Sequence, residues 1–542
     1  MIRSSKSILP ACRQAGSPIM ICKKLLLLAF LFTSILSFGQ QEQDYIDYYD
    51  NAQTKKKSAG KYVYGLEEGE WKFWFENGEK QEVANYHKGK LWGKVERYYE
   101  NGTKRHEGYF YKDVQDSLMQ SWYSNGKEME RGYYSNGEKD SSWTYWYENG
   151  QMMMKEIYSQ GHMILTDQWS EDGTQNIEKG NGTLTAFHEN GKEREKAVYA
   201  FGVKSGSYME WYPAGNPVVE GAFQGGVKSG NWKFWFSNGE LQKTSTYKLD
   251  SLDGTYRKYY RGDVLNVSGR YELGKKDSIW TWYTGQGVLD MQGEFLNDQQ
   301  NGHWTYWYPN GQVYYQGEFV KGEKDGAWVY YYKDGQRWKR GNFTLGNKNG
   351  AWIYWFENGQ KLQEGEFVDD KEEGTWNAWF EDGKQKEIGE FKGGMMDGYW
   401  RAWYPNGAQD YEGYWKENKK HGSFKFYWSS GKNKDDGYYT EGQKGGRWTS
   451  YNEHGIKISE GMYNMGRPNG DWKYYFDNGG IAREASYSNG KLNGRTLIYD
   501  QRGTVREEMN YKENRLHGKV VSYDAVGKVL KSTTYKDGKR ER

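Results

Sequence analysis

A glycine returns every 24 residues through the middle of the chain, and this period constrains the fold more than any other feature. A tryptophan stands two positions after each of these glycines, and a second glycine stands nine positions after the first. A fixed period of this length indicates an array of repeated structural units. The glycine–tryptophan pairs are Gly302/Trp304, Gly326/Trp328, Gly350/Trp352, Gly374/Trp376 and Gly398/Trp400.

Each repeat is predicted to be a β-hairpin. The second glycine usually follows asparagine, as in Asn358-Gly359, and this dipeptide tolerates the positive φ angles of a two-residue type I′ turn. The flanking runs are aromatic and β-branched, which favours strands of about six residues. The polar segment Leu345–Gly350 is predicted to be a longer loop to the next hairpin. A helix is disfavoured because glycine recurs too often.

The predicted fold class is therefore all-β: an elongated single-layer antiparallel β-meander of about twenty 24-residue hairpin units. A two-residue turn also fixes a strand register, in which Trp352 and Trp355 lie on opposite faces of the sheet. Trp352 shares its face with Tyr354, Phe356 and Phe367. The predicted pairs are Phe356 with Lys361, Trp352 with Gly365, and Phe367 with Gly350.

The residues before the array resemble an export signal. Lys23-Lys24, the apolar run Leu25–Leu36 and the small residues of Ser37–Gly39 are typical of a secretory signal peptide. Residues 1–39 are therefore predicted to be a signal peptide; if Met20 is the true start, residues 1–19 are an extension. A retained membrane anchor is the alternative.

The remaining chain is divided by composition. Residues 40–60 are polar and are predicted to form a flexible leader, and residues 61–542 form the repeat array. Near residues 160–182 the spacing shortens and the second strand loses its aromatic residues, so we expect an irregular seam there. The array thus fills nearly all of the exported chain.

Cysteine content and charge limit the partners. Cys12 and Cys22 both lie in the predicted signal peptide, so the mature chain is expected to have no thiol or disulfide. Loss of that segment's five basic residues lowers the formal net charge from +2 to −3. Charges of both signs alternate along the array, which predicts no nucleic-acid partner and disfavours an anionic membrane surface. We expect an exported protein: periplasmic, outer-membrane-associated or extracellular.

One stretch of the array resembles a known repeat family. Tyr315–Trp328 reads Tyr-Gln-Gly-Glu-Phe-Val-Lys-Gly-Glu-Lys-Asp-Gly-Ala-Trp and resembles the MORN repeat. Trp307–Gly311 is similar to the bacterial variant found in YwqK-family antitoxin-like proteins. The resemblance implies an elongated, twisted single-layer sheet that serves as an interaction scaffold.

Catalytic chemistry is not expected. The eight histidines are scattered along the array, no set of three or four metal ligands converges, and no serine–histidine–acid set departs from the repeat pattern. We predict that the chain is not an enzyme, with no catalytic residues, no metal and no cofactor.

An aromatic residue four positions before each turn is the candidate binding feature. It packs between neighbouring units, or it forms a ligand ladder with rungs about 9–10 Å apart that stacks on sugars or docks an extended partner. The five central members, here called the five-ring column, are Trp307, Tyr331, Trp355, Trp379 and Trp403.

Three functions follow from these patterns. The first is a non-catalytic exported scaffold that mediates protein–protein interaction in the cell envelope. The alternatives are a glycan- or cell-wall-binding module that uses the aromatic ladder, and an antitoxin-like toxin-binding protein. A protein partner is the leading prediction.

Overall fold

The computed structural model describes residues 42–542, and every regular element in this range is a β-strand. The predicted signal peptide, residues 1–39, lies outside the described residues. The chain divides into two compact units, Met1–Met163 and Ile164–Arg542. Within the described range no helix is long and apolar enough to cross a membrane.

In the first unit, consecutive strands pair antiparallel in chain order. These strands are β1 (Glu42–Tyr48), β2 (Lys56–Val63), β3 (Leu66–Trp74), β4 (Lys80–His87), β5 (Lys90–Tyr98), β6 (Lys104–Tyr111), β7 (Val114–Trp122), β8 (Glu128–Ser135), β9 (Glu138–Trp146) and β10 (Met152–Ser159). The division between the units falls within β11 (His162–Trp169). The prediction of a flexible leader over residues 40–60 is wrong for the described part, because β1 pairs with β2 there.

In the second unit consecutive strands likewise pair antiparallel, except that the two-residue strands Met395–Met396 and Arg515–Leu516 pair only with the strand before them. Its first strands are β12 (Gln175–Glu178), β13 (Asn181–Phe187), β14 (Glu193–Ala200), β15 (Val203–Trp211), β16 (Pro217–Gln224), β17 (Val227–Trp235), β18 (Leu241–Lys248), β19 (Ser251–Tyr259), β20 (Leu265–Glu272), β21 (Lys275–Tyr283), β22 (Leu289–Leu296), β23 (Gln299–Trp307), β24 (Val313–Val320), β25 (Glu323–Tyr331), β26 (Arg337–Thr344), β27 (Asn347–Trp355) and β28 (Lys361–Val368).

The later strands are β29 (Lys371–Trp379), β30 (Gln385–Lys392), β31 (Met395–Met396), β32 (Gly398–Trp403), β33 (Gln409–Lys416), β34 (Lys419–Tyr427), β35 (Asn433–Thr440), β36 (Gln443–Tyr451), β37 (Lys457–Asn464), β38 (Arg467–Tyr475), β39 (Ile481–Ser488), β40 (Lys491–Tyr499), β41 (Val505–Lys512), β42 (Arg515–Leu516), β43 (Gly518–Tyr523), β44 (Val529–Lys536) and β45 (Lys539–Arg540). The predicted all-β antiparallel meander is confirmed in each unit. The shortened strand β12 lies where the irregular seam was predicted.

The two kinds of turn are the reverse of the prediction. Leu345 and Gly346 both have positive φ, 48° and 85°, and they form the two-residue type I′ turn between β26 and β27. At Asn358-Gly359 only the glycine has positive φ, and the Phe356 N–H donates to the Gln360 carbonyl at 2.8 Å. This connection is a three-residue loop with a glycine bulge. Strands of eight and nine residues result, longer than predicted.

The bulge also changes the register beside this loop. Trp355, and not Phe356, pairs with Lys361, so that predicted pair is wrong. The other two predicted pairs, Trp352 with Gly365 and Phe367 with Gly350, are confirmed. A pattern read from spacing alone therefore held for most of the hairpin and failed only next to the loop.

The tryptophan two positions after each repeat glycine, as at Trp352, lies over a glycine of the preceding strand. A Cβ atom on Gly341 would stand 2.1 Å from the Trp352 ring, so only glycine leaves room for the indole. The Trp352 Nε1–H donates to the Asn342 carbonyl at 3.2 Å. A shift in register opposite Gly341, where Gly350 adopts φ +71°, brings Trp352 into this position. The face that carries these rings is here called the tryptophan face.

The rings of the tryptophan face make edge-to-face contacts from strand to strand. Phe343 lies 5.2 Å from Trp352, Trp352 lies 5.9 Å from Phe367, and Phe367 lies 5.1 Å from Trp376, measured between centroids. Such pairs contribute about 0.5–1.5 kcal/mol each beyond their area burial. The rings of this aromatic ladder bury one another's apolar surface, as a second sheet does in a β-sandwich. Trp352 is accordingly only 1% exposed.

Candidate binding surface

All five members of the five-ring column are half-buried. Trp355 lies on the face opposite Trp352, as the sequence predicted, because the alternation along β27 is unbroken between the two residues. Among the described residues no ring contact joins one member of the column to another. The ladder that buries apolar surface is therefore the one on the tryptophan face, and the column is a separate row on the other face.

Charged side chains lie beside the column. The Arg340 guanidinium stands 5.9 Å from the Trp355 ring centroid, and the Lys361 Nζ stands 5.4 Å from that of Trp379. Lys361 also contacts Glu364 at 2.8 Å, and both side chains are partly exposed. Cation–π contacts at such exposed sites are worth about 0.5–1 kcal/mol. The column thus presents ring surface among polar groups that remain accessible to a ligand.

Toward the C-terminus the same column position holds tyrosines that donate to glutamates. The Tyr427 hydroxyl donates to Glu412 at 2.8 Å, and the Tyr499 hydroxyl donates to Glu484 at 2.8 Å. Hydrogen bonds from Tyr475 and Arg447 lower the pKa of Glu460 to about 2. The Glu460 carboxylate is therefore held in its charged form by its two donors.

Side chains at the three-residue loops link successive hairpins. The Asn358 Nδ2–H donates to the carbonyl of Glu381, one repeat further along, at 2.8 Å. The Tyr332 hydroxyl donates to the Trp355 carbonyl at 2.8 Å and so holds the backbone of the column. Sequence reasoning missed these bonds; the signal was a recurrent tyrosine directly after the column residue, as at Tyr308, Tyr332 and Tyr404.

Metal chemistry has no prepared site in the part of the chain that the structure describes. No group of three or more histidine, cysteine, aspartate or glutamate side chains there is placed to hold an ion. In the second unit, rings, carboxylates and cations instead recur along the face that carries the five-ring column, an arrangement suited to binding.

Comparison with known proteins finds one repeat family whose model matches part of the chain. The family model described as "MORN repeat variant" matches six segments of the chain: residues 67–88, 139–160, 228–249, 300–321, 348–369 and 468–489. Each matched segment covers one hairpin and the first residue of the turn that follows it. No curated protein sequence matches the chain.

Solved structures give only a distant likeness. The crystal structure of TcdB2-TccC3-Cdc42 matches at 8% identity with a TM-score of 0.12, over 91% of this chain and 31% of that one. The Photorhabdus luminescens Tc holotoxin pore structure with the TccC3-D651A mutation matches at 11% identity with a TM-score of 0.13, over 91% and 30%. This chain spans about a third of their length, and scores this low carry no inference about its function.

Proposed function

We propose that this chain, which carries repeats of the MORN variant type, is an exported, non-catalytic scaffold that binds protein partners in the cell envelope. The observation that carries the proposal is the five-ring column. It repeats half-exposed aromatic side chains at one-repeat intervals on a face lined with paired charges. Aromatic and arginine side chains in such settings are the commonest anchors of protein interfaces.

The column suits an extended partner better than a compact ligand. Successive rings are about 9–10 Å apart, two strand spacings, which is the span of about three residues of an extended chain. The hydrogen bonds from Tyr332 and Asn358 hold the strands and loops that carry the rings, so little ordering is required on binding. The location in the envelope rests on the residue pattern of Lys23–Gly39 alone.

The glycan-binding alternative is favoured by the same rings, because sugars stack on half-exposed tryptophan and hydrogen-bond to neighbouring carboxylates. The antitoxin-like alternative rests on resemblance alone. Binding of the full chain to insoluble polysaccharide, weakened by Trp379→Ala, would support the glycan-binding module over the protein scaffold.

Site-specific crosslinking tests the proposal directly. A benzophenone amino acid replaces Trp379 in the full chain, which is expressed with its predicted signal peptide. In a second chain the same amino acid replaces Leu345, which is 75% exposed and lies in a two-residue turn at the other edge of the sheet. We expect a discrete protein adduct from position 379 and none from position 345. The adduct should diminish when Trp355→Ala or Trp403→Ala is added. Equal adducts from both positions, or adducts unaffected by these changes, would contradict the proposal.

A further inference from the structure

Lysine side chains of the protein itself cover the aromatic ladder. Four residues before the ring in many repeats stands a lysine whose Nζ lies over it: Lys324 is 4.2 Å from the Trp328 centroid and Lys348 is 5.1 Å from that of Trp352. Neither ammonium group has a carboxylate partner among the described residues. Burial lowers the pKa of Lys324. In these repeats the tryptophan face thus receives an ammonium group of the chain itself.

Several repeats have another residue in place of this lysine, and they include the two successive repeats of Trp376 and Trp400. The position four residues before Trp376 is Glu372, and that before Trp400 is Met396. Within residues 42–542 no cation lies over either ring. Trp376 and Trp400 are 8% and 4% exposed, and Trp328 and Trp352 are 0% and 1% exposed.

A cleft opens where the lysine is missing. Two residues after the tryptophan, the preceding repeats have a tyrosine, as at Tyr330 and Tyr354, but these two repeats have Ala378 and Ala402. Glu387 pairs with both alanines across the neighbouring strands. The cleft has a volume of about 160 Å³, and its walls include Glu372, Trp376, Ala378, Glu387, Phe391 and Trp400.

The carboxylate in the cleft is held in place. The Tyr411 hydroxyl donates to Glu387 Oε1 at 2.7 Å. Neither Glu372 nor Glu387 forms an ion pair with a described residue. The walls of the cleft thus combine aromatic rings with two carboxylates that have no cationic partner among the described residues. These features recognise an organic cation, since rings attract the ammonium group and carboxylates neutralise its charge.

We propose that this cleft binds the ammonium group of a lysine side chain from a protein partner, in the place that the chain's own lysine takes in neighbouring repeats. The inference rests on the proposed scaffold function, because it supplies a specific anchor for such a partner. Charge complementarity and the lysines over Trp328 and Trp352 select lysine as the occupant. The cleft lies on the tryptophan face, so it is a second contact, separate from the five-ring column.

Saturation-transfer NMR on the full chain tests the proposal. The probe is Nα-acetyl-lysine N-methylamide, and the matched control ligand is the norleucine derivative, which has the same backbone but a shorter, uncharged side chain. We expect transfer to the side-chain methylenes of the lysine probe and at least about fivefold weaker binding of the norleucine compound. Equal binding of both, or no binding of the lysine probe, would overturn the proposal.

Three variants locate the binding. Glu372→Lys supplies the chain's own ammonium, and Ala378→Tyr fills the cleft with the residue of the preceding repeats; both copy residues found at equivalent positions, so both are expected to fold. Each should abolish transfer to the lysine probe. Glu381→Lys makes the same charge change at an exposed loop and should leave transfer intact. Equal loss in Glu381→Lys would show general charge attraction and would refute the site.

A fourth variant distinguishes loss of the binding site from misfolding of the protein. Glu387→Gln keeps the shape of the side chain and removes its charge, so it should weaken the lysine probe without changing the near-ultraviolet dichroism of the ladder. The benzophenone adduct at position 379 reports on the other face. If the unaltered chain forms that adduct but does not bind the lysine probe, the cleft alone is refuted. If it binds the lysine probe but forms no adduct, the scaffold interface at the column is refuted.

Discussion

At the scale of single residues, the absence of one Cβ atom decides where each tryptophan lies. The indole of Trp352 occupies the space directly above Gly341, and its N–H reaches the carbonyl of the next residue. The ring satisfies its only polar group and buries its remaining surface against bare backbone. Glycine in these strands is therefore a packing requirement, although glycine is otherwise unfavourable in a strand.

Gly341→Ala should displace the Trp352 ring and destabilise the protein by about 2 kcal/mol, because the added methyl group overlaps the indole. Gly445→Ala is the matched control, since Gly445 is also a strand glycine without positive φ and its Cβ would meet only Thr440 Oγ1, at 3.5 Å. Urea unfolding of both variants measures the difference. Equal stability of the two variants would contradict the role given to Gly341.

The stability of the protein should depend on pH through the Glu460 carboxylate. Its pKa is lowered from 4.5 to about 2, so its stabilising effect is complete above pH 4.5 and is lost as the pH falls toward 2. Glu460→Gln should therefore be less stable than the wild type at pH 6 and lose less stability between pH 5 and pH 2. Denaturant midpoints across that range measure this. Glu453→Gln, at an exposed loop residue, should follow the wild-type curve.

At the scale of the hairpin, the strands are joined by a different kind of turn at each end. The Leu345-Gly346 end closes tightly with two residues of positive φ. The Asn358-Gly359 end uses a longer loop whose asparagine and tyrosine side chains bond to the next repeat. Asparagine is therefore favoured here for its amide donor as well as for its turn propensity.

Asn358→Asp isolates that amide donor. Aspartate forms the same loop at Asp334 and Asp382, so the turn itself should survive, but the bond to the Glu381 carbonyl is lost. We expect a loss of about 0.5–1 kcal/mol in the free energy of unfolding. Asp382→Asn is the converse change and should be neutral or stabilising. A larger loss in Asp382→Asn than in Asn358→Asp would contradict this account.

The two tryptophans of β27 should respond differently to truncation. Trp352→Ala removes a ring that is 1% exposed and should cost about 3–5 kcal/mol. Trp355→Ala removes a half-buried ring of the five-ring column and should cost only about 1 kcal/mol. Chemical unfolding of the two variants compares them directly. A cost for Trp355→Ala as large as that for Trp352→Ala would mean that the column mainly packs the sheet.

At the scale of the whole molecule, each unit is held by contacts between neighbours in sequence. In the second unit β27 pairs only with β26 and β28, so no distant strand supports it. Stability in such arrays is approximately a sum of repeat and interface terms. A destabilising substitution should then affect mainly the strands next to it.

Hydrogen exchange on Trp352→Ala tests this locality. We expect faster exchange in β26, β27 and β28, with a smaller change in the adjoining strands and none from β36 onward. The measurement is the exchange of peptides from the full chain, compared with the wild type. A uniform increase across residues 164–542 would show that the second unit unfolds cooperatively.

The sequence by itself determined the repeat, the strand class and most of the register. These follow from spacing, because a period of two along a strand and a fixed interval between turns leave few possible pairings. Two features were predictable for this reason: the pairing of Trp352 with Gly365, and the location of Trp352 and Trp355 on opposite faces of the sheet. The location of the column on its own face was predictable as well.

Tertiary structure decided what spacing cannot encode. Leu345 adopts positive φ although leucine does not favour it, and the bulge at Gly359 moves Lys361 from Phe356 to Trp355. The cleft at Trp376 appears only when Glu372, Ala378 and Glu387, which are up to 15 positions apart, meet on one face. Each depends on contacts between strands, whereas a sequence pattern reports what lies along one strand.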